Sequence, residues 1–126
     1  MRLLVGLISF LVLDSIFIGS SMNHWKKQIK SIQHSPLKIN YVSAVLSYVF
    51  IFLSWFYFIY NPNKNRKTYD TKLLLDAFML GFVIYGIFEL TSMSLFSNWS
   101  WLSVFMDTIW GGSLYLLVTL IVFCLL

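Results

Sequence analysis

The sequence predicts an all-α integral membrane four-helix bundle, with a short amphipathic interfacial helix between the first and second crossings. Composition excludes an ordinary soluble domain: 59% of the 126 residues are hydrophobic and only 11% charged, with a mean hydropathy of +0.78. Four apolar runs, Leu3–Ser21, Tyr41–Tyr60, Leu73–Ser94 and Leu102–Leu126, are each long enough to cross a hydrocarbon layer about 30 Å thick as helices. The longest connection, Met22 to Asn40, is too short to hold a core of its own. The chain therefore reads as a single transmembrane domain over residues 1–126, with any chemistry in or at the membrane.

The first run is apolar except for small hydroxyls and Asp14. Gly6, Ser9 and Gly19 allow close backbone approach and read as packing positions. Arg2, an apolar stretch and Gly19-Ser20-Ser21 imitate a cleaved secretory signal, but Asp14 interrupts the apolar region such a signal needs.

In the following segment Met22, Trp25, Ile29 and Ile32 recur at helical spacing while Lys26, Lys27 and Lys30 lie away from that seam. This is the predicted interfacial helix, ended by Pro36. His24 and His34 have no carboxylate or cysteine beside them at ligand spacing, so they read as solvated or headgroup-facing, His24 lying just above the site proposed below.

The second run carries Ser43, Ser47 and Ser54 on one face and ends in the aromatic cluster from Trp55 to Tyr60, a helix seam leading into an interfacial belt. The basic, turn-rich loop after it ends at Asp70, an expected N-cap for the third run. Asp76, near that helix start and beside Lys72, reads as structural. The third and fourth runs are joined by an uncharged turn whose Trp99 and Trp101, like Trp25, Lys26 and Lys27, are expected at an interface. Asn98-Trp99-Ser100 matches a glycosylation acceptor only formally, because the turn is too tight.

The net charge of +4 does not point to nucleic acid, since the basic residues flank apolar runs and suit anionic headgroups. Arg2, Lys64, Arg66, Lys67 and Lys72 on the N-terminal side outnumber Lys26, Lys27, Lys30 and Lys38 on the other. By the positive-inside rule this places the N-terminus inside, by a margin of one that permits dual insertion. The one cysteine, Cys124, supports neither a disulfide nor a metal cluster and reads as lipid-facing or packing. No cofactor is expected.

Three acids stand out. Asp14 lies seven residues before Ser21, Glu89 five before Ser94, and Asp107 five after Leu102. At about 1.5 Å per residue all three fall roughly 7–11 Å below the same interface. Tyr48, seven residues after Tyr41, reaches that layer from the second helix. Tyr85, Glu89 and Ser92 share one face of the third helix, and Ser103, Asp107, Trp110 and Gly111 one face of the fourth. A charged acid at a helix centre costs about 2.5–3.5 kcal/mol, and no Lys or Arg lies at this depth. The acids must be protonated, hydrated or paired with an external cation, or else neutral and hydrogen-bonded across helices to Trp110, Tyr48 or Tyr85.

The motifs Leu13-Asp14-Ser15-Ile16-Phe17-Ile18-Gly19, Tyr85-Gly86-Ile87-Phe88-Glu89-Leu90-Thr91-Ser92 and Asp107-Thr108-Ile109-Trp110-Gly111, in that order, resemble those of the membrane-protein family known as domain of unknown function 2177. Trp25-Lys26-Lys27 is similar to the family's aromatic and basic element. The resemblance runs nearly end to end and implies four crossings with acids at these three places. Phe17, Phe88, Glu89, Ser92 and Ser100 depart from the family's pattern. The family carries no assigned activity, so the resemblance implies a fold and a choice of residues, not a mechanism.

The leading expectation is a proton- or cation-coupled transporter or channel in which Asp14, Glu89 and Asp107 bind the ion while Tyr85, Thr91, Trp110 and Tyr48 shape the pocket. Four crossings are few to enclose a path, so this reading calls for a homo-oligomer. A membrane-embedded enzyme acting on a lipid or isoprenoid ranks below it: paired acids suit general acid–base work, but the sequence shows no metal-ligand run, no serine–histidine arrangement and no phosphate loop. The third alternative is a non-catalytic protein that binds lipid or a partner through its basic segment.

Overall fold

The computed structural model describes residues 1–125; Leu126, the end of the fourth expected run, lies outside the described residues. The described residues form four helices and no strand: α1 (Arg2–Gln33), α2 (Tyr41–Asn63), α3 (Thr71–Leu95) and α4 (Trp101–Leu125). All four are long and apolar enough to cross a membrane.

The segment expected as a separate interfacial helix is instead the continuation of α1. Its 32 residues make a rod of about 48 Å, well beyond a hydrocarbon core of about 30 Å. Gly19-Ser20-Ser21 weakens the helix without breaking it, and the chain meets no proline until Pro36. The helix ends where His34 turns left-handed (φ 57°) and donates its backbone N–H to the Lys30 carbonyl. The predicted apolar seam is real, but Met22, Trp25 and Ile29 line a cavity between the helices, while Lys26, Lys27 and Lys30 are exposed.

The extension is fastened to α4 by polar contacts. Gln28 Oε1 accepts from Ser100 N (3.1 Å), Ser100 Oγ (2.9 Å) and Ser103 Oγ (2.6 Å). Asn98 Nδ2 adds a bond to the Ser31 carbonyl at 2.9 Å.

Helix α2 starts at Tyr41, capped by the Asn40 side chain accepting from Ser43 N at 3.1 Å. Its fifth turn, Phe56–Tyr60, is π-helical. Pro62 supplies the reason: its ring would strike the carbonyl four residues back, and the widened turn relieves that clash. Asn61 N–H then bonds the Phe56 carbonyl, and Asn63 Nδ2 bonds that of Ile59 at 2.8 Å.

Helices α3 and α4 pack closely and antiparallel through glycines. A Cβ on Gly81 would lie 2.6 Å from Tyr115 Cδ1 and 2.8 Å from the Gly111 carbonyl carbon, and one on Gly112 would lie 2.7 Å from the Phe78 ring. Only hydrogen fits at those points.

The core gathers at the end of the bundle that holds the N-terminus. Trp55 is fully buried, sits 3.0 Å from where a Gly6 Cβ would be, and donates Nε1 to Thr119 Oγ1 at 2.9 Å. Phe10 meets Trp55 and Tyr115 edge-on at 5.8 and 5.2 Å. Arg2 closes this end, donating to the Arg66 carbonyl at 2.8 Å and lying 4.9 Å over the Phe123 ring. The opposite half of α2 leaves Val42, Val45, Val49 and Phe50 exposed. The bundle is thus a wedge, tight at one end and parted at the other.

Two outcomes follow from this packing. Gly81→Ala is expected to lower unfolding free energy in detergent by about 1–3 kcal/mol, whereas Gly86→Ala, whose Cβ would meet Thr108 Cγ2 at an ordinary 3.4 Å, should stay within about 0.5 kcal/mol of wild type. At the start of α3, Asp70 is the N-cap, accepting from Leu73 N at 2.9 Å and pairing with Arg66 at 2.7 Å. The Leu73 N–H first, and Arg66 second, hold its carboxyl below its ordinary value of 3.8. Its stabilisation is therefore complete above the ordinary value and fades as pH falls through the lower, folded one. The gap in melting temperature between wild type and Asp70→Ala should close on acidification through that range, and a gap independent of pH would contradict the assignment.

Candidate functional site

Between the parted helices lies a cavity of about 1010 Å³ whose walls come from all four helices and include Asp14, Glu89 and Asp107. Among the described residues none of its lining is Lys, Arg or His. Phe50 of α2 and Phe88 of α3 both line it and are 68% and 58% exposed, so they flank a lateral opening toward the bilayer. Tyr115 and Ser54 form its floor, joined hydroxyl to hydroxyl at 2.6 Å.

The antiparallel glycine contact sets the level of two acids. Going up α3 matches going down α4: Phe78 meets Gly112, Gly81 meets Gly111, and Gly86 meets Thr108. Three residues beyond Gly86 on α3, and one beyond Thr108 on α4, Glu89 and Asp107 come close to each other on the cavity wall, with Asp14 of α1 nearby. Two carboxyl groups can hydrogen-bond to each other only when one of them carries a proton.

The three acids differ in how many donors they receive. Asp14, buried, has both oxygens occupied: Tyr48 OH donates to Oδ2 and Trp110 Nε1 to Oδ1 at 2.9 Å. Phe17 stacks on Trp110 with centroids 4.9 Å apart and fixes that indole. Glu89 is 0% exposed and receives one bond, from Trp99 Nε1 to Oε1 at 3.0 Å, while Oε2 has no donor among the described residues. Asp107, half-buried on the cavity wall, lies beside Glu89 and Asp14.

Of the residues singled out by sequence, Asp14, Glu89, Asp107, Tyr48 and Tyr85 line the cavity. Trp110 reaches the site through Asp14. Thr91 is exposed, and its neighbour Ser92 is the buried residue on that turn. Trp99 turns inward onto Glu89, Trp25 lines the cavity and donates to Ser21 Oγ at 2.9 Å, and Trp101 stays exposed.

Gln28 escaped sequence reasoning although its position three after Trp25 and four before Ile32 puts it on the apolar seam. A serine–histidine contact, not expected from the sequence, is present: His24 Nε2 lies 2.6 Å from Ser103 Oγ. Ser103 is buried and already gives its proton to Gln28, so His24 donates to it. A histidine in that role is not a base for the serine.

The Asp14 assembly carries its own test. Tyr48→Phe should lower unfolding free energy by about 0.5–3 kcal/mol, the span from an ordinary hydrogen bond to one made to a charged group. In an Asp14→Asn background the same change should lose most of that effect in a double-mutant cycle.

No curated protein and no solved structure matches the chain. The family model described as Predicted membrane protein (DUF2177) matches residues 1–124, and the chain, with its four apolar helices, belongs to that family.

Proposed function

We propose that the protein is a small proton- or cation-coupled transporter whose exchange site is the Glu89–Asp107 pair. One observation supports this above the others: a buried carboxyl with one oxygen lacking a donor lies beside a second acid on the wall of a cavity that opens toward lipid and has no basic lining residue among those described. Such a pair must take its missing positive charge from outside the protein, as a proton or a cation. Asp14 has a different role here, pinning α1 to α2 and α4 through Tyr48 and Trp110.

Transport requires the floor to part. Ser54–Tyr115 and Trp55–Thr119 are the bonds that would open, and the π-helical turn at Phe56–Tyr60 is the place where α2 can pivot, because its ladder of hydrogen bonds is already irregular there. A homo-oligomer remains part of this proposal as a second way to complete a path.

A second reading, an enzyme acting on a lipid or isoprenoid, is favoured by the same acid pair at a lateral opening, where one carboxyl would act as acid and the other as base.

The deciding experiment is thermal stability of the purified protein across pH and a panel of cations, for wild type, Asp14→Asn, Glu89→Gln and Asp107→Asn. Wild type is expected to show a pH- or cation-dependent step that Glu89→Gln and Asp107→Asn lack while still folding. Asp14→Asn should lower stability under every condition and keep the step. Equal shifts under all conditions for all three variants would reduce the acids to packing groups and end the transport reading.

A further inference from the structure

Building on the exchange-site reading, we infer that the cavity binds an amphiphilic organic monocation, with a charged head at Glu89 and Asp107 and an apolar or aromatic body along the cavity toward the lateral opening. The chemistry of the walls narrows the ligand by exclusion and by fit. An anion has no partner, since the described lining contains no Lys, Arg or His. A bare metal ion is poorly served: the described residues contain no group of three His, Cys, Asp or Glu side chains placed to hold one, and both Asp14 oxygens are taken by Tyr48 and Trp110. A small polar solute would leave most of the surface unmatched, because the lining beyond the acids and hydroxyls is apolar.

An organic cation meets each feature. Trp25, Trp99, Phe17, Phe50, Tyr85 and Phe88 line the cavity and present ring faces and edges to a cation and its apolar body. A volume of about 1010 Å³ is at the upper end of pockets that hold drug-sized molecules. The head has one evident station: Glu89 Oε2, fully buried and without a donor, beside Asp107.

Charge sets the valence. In this proposal the Glu89–Asp107 pair shares a single proton before a ligand arrives. When a monocation arrives, that proton leaves for solvent and the cation takes its place, so the total charge of the site is unchanged. A dication replacing that one proton would instead take the pair from singly negative to neutral, so the exchange would no longer be electrically even. The ionisable groups around the pair are Asp14 of α1, Tyr48 of α2, Tyr85 of α3 and Tyr115 of α4, and none of them supplies a competing positive charge.

The test uses the full chain in detergent, titrated calorimetrically with tetraphenylphosphonium, and with tetraphenylborate as an anion of the same shape. Magnesium and sodium chloride serve as inorganic arms, and buffers of different ionisation enthalpy count the protons released. Tetraphenylphosphonium is expected to bind with release of a single proton, and Glu89→Gln to weaken it at least roughly tenfold, the ratio that corresponds to 1.4 kcal/mol. Ser47→Trp, which fills the cavity from the exposed face of α2 without altering an acid, should weaken it similarly, and it decides the matter if Glu89→Gln fails to fold. Equal binding of tetraphenylborate, or cation binding that survives Ser47→Trp, overturns the inference. Magnesium or sodium binding with proton release, in place of tetraphenylphosphonium, overturns the ligand class and leaves the cation-coupled reading standing. Absence of both cation binding and the pH-dependent stability step removes both.

Discussion

The close approach of α3 and α4 is the constraint on which the rest depends. Gly81, Gly111 and Gly112 bring two backbones together so tightly that Tyr85, Phe78 and Tyr115 occupy the space where side chains on those glycines would stand. Van der Waals packing of this kind is what holds helices together in lipid, where no hydrophobic force separates protein from surroundings. It also fixes register. With Gly81 against Gly111, eight residues of rise along α3 put Glu89 level with Ser103 on α4, so Asp107 lies about one turn away along α4 and the glycines hold both acids on the shared face of the two helices.

The two ends of the bundle are held by different physics. At the N-terminal end, rings and small residues interlock: Trp55, Phe10 and Tyr115 are buried, and Arg2 reaches across to the α2–α3 loop. At the other end, α1 outruns the bundle and bonds to the α3–α4 turn and the start of α4 through Gln28 and Ser31, with Gln28 Nε2 left without a partner among the described residues. Helix α2 shares in the first assembly and meets the acid layer mainly through Tyr48. It is anchored at one end and loosely tied at the other, which is why the cavity lies beside it.

That the three acids reach one cavity was legible because helical rise is nearly invariant, so counting residues from the ends of the runs brings them to a common level. Facing was legible where spacing was used: Tyr85, Glu89 and Ser92 share a face, and Ser92 is buried. Thr91 came from motif resemblance instead, sits one residue off that face, and is exposed. The extension of α1 was hidden because Gly19-Ser20-Ser21 imitates an end. A glycine weakens a helix by only about 1 kcal/mol, which tertiary contacts made by Gln28 outweigh. Pairings across helices, such as Trp99 with Glu89 or His24 with Ser103, depend on helix rotation and crossing geometry, and one sequence does not encode those in any local pattern.

The three acids share a layer but not an environment, and the number of donors each receives separates their roles. Two donors satisfy Asp14 from within the protein, so removing either is a structural injury and adding a ligand there gains nothing. Glu89 has one donor and Asp107 none from the described residues. The unmet demand therefore rises from α1 to α3 to α4 and ends at the side chain that opens onto the cavity. Trp99 strengthens the asymmetry, since it occupies Oε1 of Glu89 and leaves the buried Oε2 without a donor among the described residues. A family of three identical groups would behave as a diffuse negative field; this graded set concentrates the need for positive charge at one point, where whatever fills the cavity must supply it.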